Sequence, residues 1–501
     1  MSSHHAAPLT RTNIWIYACL SLPISMIGYP LGIWVPRLYA SDMGLNLGLI
    51  GAVLAATALY DAFTDPAMGL VTDRVRTPFG RRRPWILLGV PLFSLGVWML
   101  LNPTHGVTAV YLALWFIVMR SASTIINLPY ATWGAELSAE YHNRTRISSA
   151  RERFSMIGLI GGSMIPLAVE WAAAIQKDPA FLLTKFAWLT SIGPQVMHGI
   201  STHFLTFARW WGITEATPAA VLGQYSFVLL VLLPVAALLV VCFVPEAPPL
   251  PRQTQLGIGK SAQMMMRNKL LLRIIVIEVL VAGGENFRNA LSLFFMQDYI
   301  GVHYAGEMYV VYFSVGLLAI SFWDYVARKG GKHLSLAGAM IFVGAVSIWI
   351  FTLHYGDVTA FYVLFALKGF CFGAFAYLPR AMIADVVDVD TLRSGDARPG
   401  SYFAILGVMT KVASAFGLLS LPLLGLVGYN AKVAGQHLNG PHELLWLGVL
   451  YAIVPTVLFG IACYLAWTWP LTGPRHARLQ ALLERKQARL RARHAIAGAG
   501  G

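Results

Sequence analysis

The sequence contains few charged residues and few cysteines. Only 12% of its 501 residues are charged, and 57% are hydrophobic, whereas soluble domains carry about 25% charged residues. This composition excludes an ordinary soluble protein and predicts an all-α membrane protein. The cysteines show no metal-ligand spacing and are interpreted as thiols within apolar stretches; they are Cys19, Cys242, Cys371 and Cys463.

Motifs of catalysis are also missing. The sequence contains no P-loop, no HExxH pattern and no GxSxG pattern, so we expect neither an enzyme nor a bound cofactor. The first apolar run follows a short polar tail and has no small-residue cleavage site of the signal-peptide kind. We therefore expect the N-terminal tail to be retained.

Twelve apolar runs reach the length of about 20 residues that a membrane-spanning helix needs. They lie near residues 14–39, 47–72, 84–103, 107–136, 154–175, 221–243, 268–298, 306–327, 333–354, 359–384, 401–428 and 442–468.

Lysine and arginine are absent from alternate connections, such as SDMGLNLG, NPTHG, IGVHY and HYGD. The other connections carry basic clusters, which the positive-inside rule places in the cytoplasm. Both termini are therefore predicted to be cytoplasmic, in an inner (plasma) membrane protein. The net charge of +14 is interpreted as a topology signal rather than a nucleic-acid footprint.

The predicted organisation has two six-helix halves. Residues 1–13 form a cytoplasmic tail, 14–244 the first bundle, 245–267 a cytoplasmic linker, 268–470 the second bundle and 471–501 a basic cytoplasmic tail. The first bundle includes a long external segment at about 176–220. Its aromatic-rich pieces fit either helices lying in the membrane interface or a cap over the external mouth.

An acidic residue followed by glycine and basic residues recurs after the second span of each half, as Asp73, Gly80 and Arg81 in the first half and as Asp324, Gly330 and Lys332 in the second. This repeat indicates the two pseudo-symmetric halves of a major facilitator fold, whose site lies between the halves. Acidic and basic residues at the cytoplasmic helix ends are predicted to form gating ion pairs. The gating set is Asp73, Arg74, Arg81, Arg82, Glu136, Arg153, Asp324, Arg380 and Asp385.

Asp61 and Asp65 lie one helical turn apart within the second span, and so share one face. Carboxylates inside a membrane span are costly and mark ion or substrate paths, and hard cations bind oxygen ligands. The pair is predicted to bind a cation. The alternative is a structural ion pair with Lys411, a lone cation in the eleventh span.

The stretches YDAFTDPAMG, GRRRPWILLG, INLPYATWGAELSAEYHNRTRISSARERF and ADVVDVD resemble the glycoside-pentoside-hexuronide cation symporters over nearly the whole chain. The resemblance implies twelve spans, a monomer, alternating access and cotransport of a solute with sodium, lithium or protons. Sodium-dependent lysophospholipid transporters are related to this family and share the acidic pair. The resemblance therefore leaves the solute open between sugars and amphiphiles.

The resemblance also implies a cation site that includes Lys411 and the position of Asn127. The resemblance implies a third carboxylate at the position where this chain has Asn127, which adds no charge and favours weaker sodium binding or proton coupling. The alternative is that Asn127 bonds a neighbouring helix. Arg153 matches a family arginine implied to contact the sugar or the gate, although it equally fits a cytoplasmic anchor.

Charged and polar residues in other spans are predicted to line the substrate cavity: Tyr29, Arg120, Glu285, Arg288 and Lys368. Glu285 and Arg288 follow a Gly-Gly break, which is typical of a cavity wall, but they also fit a structural pair. The first span lacks the acidic group that the resemblance implies for sugar hydroxyls, which disfavours a galactoside.

We therefore expect a cation-coupled symporter for a glycoside or related small organic compound. A sodium-coupled carrier of a lysophospholipid or steroid-like solute is the alternative. A sensor that binds without transporting is a third possibility.

Overall fold

A computed structural model describes residues 10–74, 77–137, 141–178, 180–185, 194–246, 268–394, 399–431 and 439–471. Within them the chain is helical, and an isolated bridge between Thr77 and Gly80 is the one β contact. The all-α fold class expected from the sequence is confirmed.

The first half contains α1 Arg11–Cys19, α2 Ser21–Met26, α3 Gly28–Arg37, a π-helical turn Leu38–Asp42, α4 Leu47–Arg74, α5 Arg83–Leu101, α6 Ala109–Glu136, α7 Tyr141–Lys177, α8 Phe181–Lys185, α9 Pro194–Trp210 and α10 Pro218–Phe243. The second half contains α11 Lys269–Phe294, a π-helical turn Phe295–Ile300, α12 Ala305–Gly330, α13 Lys332–Phe351, α14 Val358–Ser394, α15 Pro399–Leu418, α16 Ser420–Leu426, α17 Pro441–Gly448, a π-helical turn Val449–Ile453 and α18 Val454–Trp467.

Eleven helical segments of the described chain are long and apolar enough to cross a membrane. Helix α11 occupies the remaining predicted position and has the required length, but its sequence KLLLRIIVIEVLVAGGENFRNALSLF includes five charged residues. Such residues are expensive in lipid and normally face a bundle interior. With α11 the segments correspond to the twelve predicted runs.

The two halves pack together at one end of the bundle, which we call the Arg37 end. There α4 packs against α15 and α16, α7 against α12, and α3 against α11. Gly51 meets the ring of Pro422 so closely that a Cβ would clash, and Gly306 meets the backbone of Leu167 in the same way. Small residues let helix backbones approach without a hydrophobic driving force.

Polar contacts reinforce this packing of the two halves, which we call the Arg37 seal. The Arg37 guanidinium binds both oxygens of Asp298 in the opposite half at 2.6 and 3.2 Å, and its side chain is only 3% exposed. The Tyr429 hydroxyl donates to the same carboxylate. Bidentate arginine–carboxylate pairs are strong and fix geometry, so this pair sets the register between the halves.

The connection between α7 and α10 also reaches across the halves. Lys185 at the end of α8 forms an ion pair with Glu307 of α12. The Glu307 carboxylate also accepts hydrogen bonds from the indole of Trp171 and the hydroxyl of Tyr362. The predicted external segment thus contributes one basic residue to a carboxylate of the second half.

The opposite end of the bundle, which we call the Arg82 end, carries part of the predicted gating set. Arg82 binds Glu136 at 2.8 Å and Arg81 lies 3.5 Å from the same carboxylate. Glu246, which sequence reasoning missed, accepts the backbone N–H groups of residues 81, 82 and 83 at 2.7 to 3.0 Å. A carboxylate is stabilised at a helix N-terminus, so Glu246 fixes the start of α5.

In the second half, Lys332 binds Asp385 at 2.6 Å. Arg328 pairs with Asp324 one turn away on the surface of α12. These ion pairs, like those of Arg81 and Arg82 with Glu136, join residues of the same half.

Of the four remaining predicted gating residues, two are exposed and two have side chains outside the described part of the structure. Arg153 on α7 and Arg380 on α14 are exposed. Asp73 and Arg74 end α4, and their side chains lie outside the described part of the structure. Most of the predicted linker and of both tails, at 1–9, 247–267 and 472–501, also lies outside the described residues. The predicted domain boundaries remain predictions.

Candidate cation and solute site

A cavity of about 440 Å³ lies between the two halves, within the range of about 300–1,000 Å³ typical of ligand sites. Its apolar wall contains Ile27, Leu31, Leu54, Ala58, Phe93, Phe116, Met119 and Leu418, together with Gly28 and Gly32. Its polar wall contains Asp61, Asp65, Arg120, Ser123, Thr124, Asn127, Asn286, Asn289, Lys411 and Ser414.

Asp61 is only 8% exposed, yet one of its carboxylate oxygens has no protein partner in the described chain. Oδ2 forms an ion pair with Arg120 of α6, whereas the buried Oδ1 accepts no hydrogen bond. A buried acceptor without a partner carries a desolvation penalty. Oδ1 is therefore the best-placed atom in the cavity to gain a cation.

Asp65, one turn further along α4, is fully engaged. Its Oδ1 accepts a hydrogen bond of 2.8 Å from the hydroxyl of Thr124, and its Oδ2 pairs with Lys411 of the opposite half. The Lys411 ammonium also donates to the backbone carbonyl of Asp61 at 3.3 Å. The structure thus brings three of the four predicted cation-site residues together and links the halves through Lys411.

Asn127, the fourth, also lines the cavity. Its amide nitrogen donates to the hydroxyl of Ser123 at 2.9 Å. Sequence reasoning missed Asn286 and Asn289 on the facing helix α11. These residues directly follow Glu285 and Arg288 in the sequence, which had been selected for their charge. The Asn286 amide donates to a carbonyl of its own helix at 2.7 Å and to Ser414 at 3.4 Å. Amide and hydroxyl groups thus face each other across the site.

Tyr29, predicted in the cavity wall, lies instead in the seal between the halves. Its ring is 4% exposed and meets the rings of Tyr309 and Phe313 in edge contacts, with centroids 4.9 and 5.6 Å away. The ring of Tyr29 projects away from the face that Gly28 and Leu31 present to the cavity. The prediction for Tyr29 was wrong because neighbouring positions on a helix point in different directions.

Glu285, Arg288 and Lys368, also predicted in the cavity wall, form a separate buried cluster inside the second half. Glu285 and Arg288 pair one turn apart, Arg288 donates to the hydroxyl of Tyr312 at 3.3 Å, and the Lys368 ammonium lies 4.5 Å over the ring of Tyr451. Their neighbours on α11 face the cavity because successive helix positions point about 100° apart. Of the predicted cavity residues, Arg120 is the one that lines it.

The cavity offers oxygen ligands rather than a built metal centre. Across the described residues, histidine, cysteine and carboxylate side chains form no group of three suited to a metal ion. Carboxylate and amide oxygens at Asp61, Asp65 and Asn127 suit a hard cation of low charge. Because two carboxylates pair with two basic side chains, a bound cation can change which basic group each carboxylate contacts.

A sequence profile described as MFS/sugar transport protein, where MFS denotes the major facilitator superfamily, matches residues 16–473. The chain belongs to this family. It is a multi-pass membrane transporter of the major facilitator superfamily and not an enzyme, as the sequence predicted.

Curated relatives of this major facilitator transporter cover most of its length. The chain is 25% identical to the uncharacterized symporter sll1374 of Synechocystis sp., over 89% of the chain and 91% of the relative. It is 23% identical to the glucuronide carrier protein homolog of Escherichia coli, over 90% and 93%. It is 21% identical to sodium-dependent lysophosphatidylcholine symporter 1 of Gallus gallus, over 91% and 85%.

Solved structures agree on the fold. A bacterial homolog of the human lysosomal transporter Spinster, in an inward-facing and occupied conformation, is 12% identical with a TM-score of 0.64, over 94% of this chain and 99% of that one. At this identity the likeness establishes the major facilitator fold alone.

Proposed function

We propose that the protein is a cation-coupled secondary active symporter that works by alternating access. The observation that carries this proposal is the Asp61–Asp65 pair in the cavity between the halves, with Asp61 Oδ1 buried and without a partner in the described chain. Sodium or a proton is the proposed coupling ion. Binding at Asp61 would disturb its pair with Arg120 and, through Lys411, the contact between the halves.

The proposed solute is a glycoside or a related small organic compound. The glucuronide carrier homolog among the relatives supports this choice, as do the amide and hydroxyl groups of Asn127, Asn286, Asn289 and Ser414, which match solute hydroxyls. A buried hydroxyl left unpaired costs affinity, so such a polar wall favours a polar solute.

An amphiphilic solute is a second candidate because the facing wall is apolar. Leu31, Phe93, Phe116, Met119 and Leu418 line it, and one relative is named for lysophosphatidylcholine. An acyl chain or a steroid-like ring system would bury apolar area there, at about 25 cal/mol per Å².

The proposed orientation places the Arg82 end in the cytoplasm, together with both termini, since the basic clusters lie at that end. The Arg37 seal then closes the cavity from the outside. The proposal takes the single chain as the transporting unit, as the resemblance to the cation symporters implies.

The experiment that tests the proposal is ligand-dependent thermal stabilisation of the purified protein. Glucuronides, neutral glycosides, lysophospholipids and steroid-like compounds are added with and without sodium, at two pH values. A ligand at about 100 times its Kd stabilises the folded state by roughly 2.7 kcal/mol. We expect at least one solute class to stabilise the protein more when sodium is present or the pH is lowered.

Uptake into liposomes completes the test. Cation-dependent uptake of a solute that stabilises the protein supports a symporter, whereas binding without uptake supports the sensor. A solute affinity that changes neither with sodium nor with pH would contradict cation coupling.

A further inference from the structure

The charges that line the cavity balance when no cation is present. Asp61 and Asp65 supply two negative charges, and Arg120 and Lys411 supply two positive charges; no other charged side chain lines this cavity in the described chain. A monovalent cation bound at Asp61 therefore leaves the cavity with one uncompensated positive charge. The four side chains are 12% to 31% exposed, and an uncompensated charge in such a partly buried site is costly.

Arg120 is the basic group whose ion pair a cation at Asp61 would weaken, because the cation and Arg120 would share one carboxylate. Its one hydrogen bond within the described chain goes to Asp61 Oδ2, and a guanidinium has five N–H donors. Its Nε is buried without an acceptor, and its guanidinium lies over the ring of Phe116, with Cζ 5.7 Å from the centroid. Lys411, in contrast, has two described acceptors, Asp65 and the Asp61 carbonyl.

We propose that Arg120 determines solute specificity by binding an oxyanion of the solute once a cation bound at Asp61 has weakened the Arg120–Asp61 ion pair. The inference rests on the proposed function and narrows it to solutes that carry a carboxylate or a phosphate. Cation and solute then enter together with opposite charges, so the cavity returns to neutrality. A guanidinium suits this task because it binds carboxylate and phosphate oxygens with two parallel N–H groups.

The geometry gives the oxyanion a defined place. Arg120 projects from α6 on the first-half side of the cavity, while Asn289 and Asn286 lie on α11 on the other side. An acidic group at Arg120 leaves the rest of the solute between the amide groups and the apolar wall. The solute would therefore touch both halves, which a transporter requires if solute binding is to favour their closure.

The test uses two matched pairs of solutes that differ in one acidic group. A nitrophenyl glucuronide is compared with the corresponding nitrophenyl glucoside, and a lysophosphatidic acid with the monoacylglycerol of the same chain. The first pair probes a carboxylate and the second a phosphate. Affinities of the purified full-length protein are measured by thermal stabilisation with and without sodium. We expect sodium to tighten binding of one acidic member by roughly tenfold or more, and not of its neutral twin.

Two variants separate this role from a structural one. Arg120→Gln should lower affinity for the acidic solute roughly tenfold to a hundredfold, as expected for loss of charged hydrogen bonds, with Arg120→Lys intermediate. Asp61→Asn should release Arg120 without a cation, so the acidic solute should bind without sodium. Arg209→Gln, the same change on the exposed face of α9, is the control.

The inference is overturned if a neutral twin shows the same sodium dependence as its acid, if neither acid binds, or if Arg120→Gln keeps the affinity of wild type. The Asp61→Asn variant controls for misfolding of the Arg120 variants, because it keeps the arginine and changes only its partner. Sodium-dependent binding of neutral solutes alone would leave the symporter proposal standing and remove the role of Arg120. Solute binding without any effect of sodium or pH would remove the symporter proposal itself.

Discussion

The Glu170 carboxylate accepts the backbone N–H of Gly306 from the opposite half, at 3.1 and 2.9 Å from its two oxygens. Gly306 lies in the first turn of α12, where unpaired N–H groups and the helix dipole favour a negative charge. Glu170 is 2% exposed. A side chain of one half thus caps a helix of the other, and an opening of the Arg37 end would break this cap.

Glu170→Ala should favour the conformation open at the Arg37 end. It leaves the N–H of Gly306 without a partner in the sealed state, at a cost of about 1–3 kcal/mol, or roughly fivefold to a hundredfold in the equilibrium. A cysteine introduced at Leu418 on the cavity wall, in a cysteine-free background, should react correspondingly faster with an impermeant maleimide added at that end. Glu215→Ala, the same change at an exposed position between α9 and α10, is the control. An unchanged rate would show that Glu170 does not hold the seal.

Asp61→Asn and Asp65→Asn should each abolish cation-dependent uptake. An amide keeps the shape but removes the charge that offsets dehydration of the cation. Uptake at increasing sodium concentration, and at several pH values, measures the effect. Asp178→Asn provides the same change at an exposed position whose hydrogen bond to the N–H of residue 180 an asparagine can still accept. If uptake by both variants still followed the cation concentration, the pair would be removed from the mechanism.

Thr124→Val should weaken cation affinity without removing it. Thr124 donates to Asp65 Oδ1 at 2.8 Å, and a hydrogen bond to a charged group contributes about 1.5–3 kcal/mol. Since valine keeps the shape of threonine, lost orientation of Asp65 is the main consequence, and we expect roughly a tenfold higher sodium requirement. Thr124→Ser retains the hydroxyl and should behave like wild type. Equal requirements in the two variants would mean that the hydroxyl does not orient Asp65.

Gly80→Ala should destabilise the Arg82 end. Gly80 has a φ of +115° and the added Cβ would lie 2.5 Å from a carboxylate oxygen of Glu246. Backbone strain of this kind costs about 1–3 kcal/mol, and the displaced carboxylate would also lose its N–H donors. Thermal unfolding in detergent measures the loss. Gly106→Ala, with a φ of +84° but open space around it, isolates the conformational part. Equal melting temperatures for the two variants would show that the contact with Glu246 is unimportant.

Much of the site could be read from the sequence because membrane spans limit where charge can lie. Asp61 and Asp65 were identified from their spacing within one apolar helix, and Lys411 from its isolation in another. Glu285, Arg288 and Lys368 satisfied the same criterion, yet the structure places them in a cluster apart from the cavity. A buried charge indicates a bundle interior, but two interiors exist here: the cavity between the halves and the core of the second half.

The sequence by itself determined the all-α fold, the repeated halves and the helix that carries the acidic pair, since these follow from the length of apolar runs and the cost of charge in lipid. Only the tertiary structure decided that Arg120 pairs with Asp61, that Lys411 pairs with Asp65, and that Asn286 rather than Glu285 faces the cavity. The physical reason is that lipid and neighbouring helices are equally apolar. Hydrophobic periodicity therefore does not reveal which face of a helix points into the cavity.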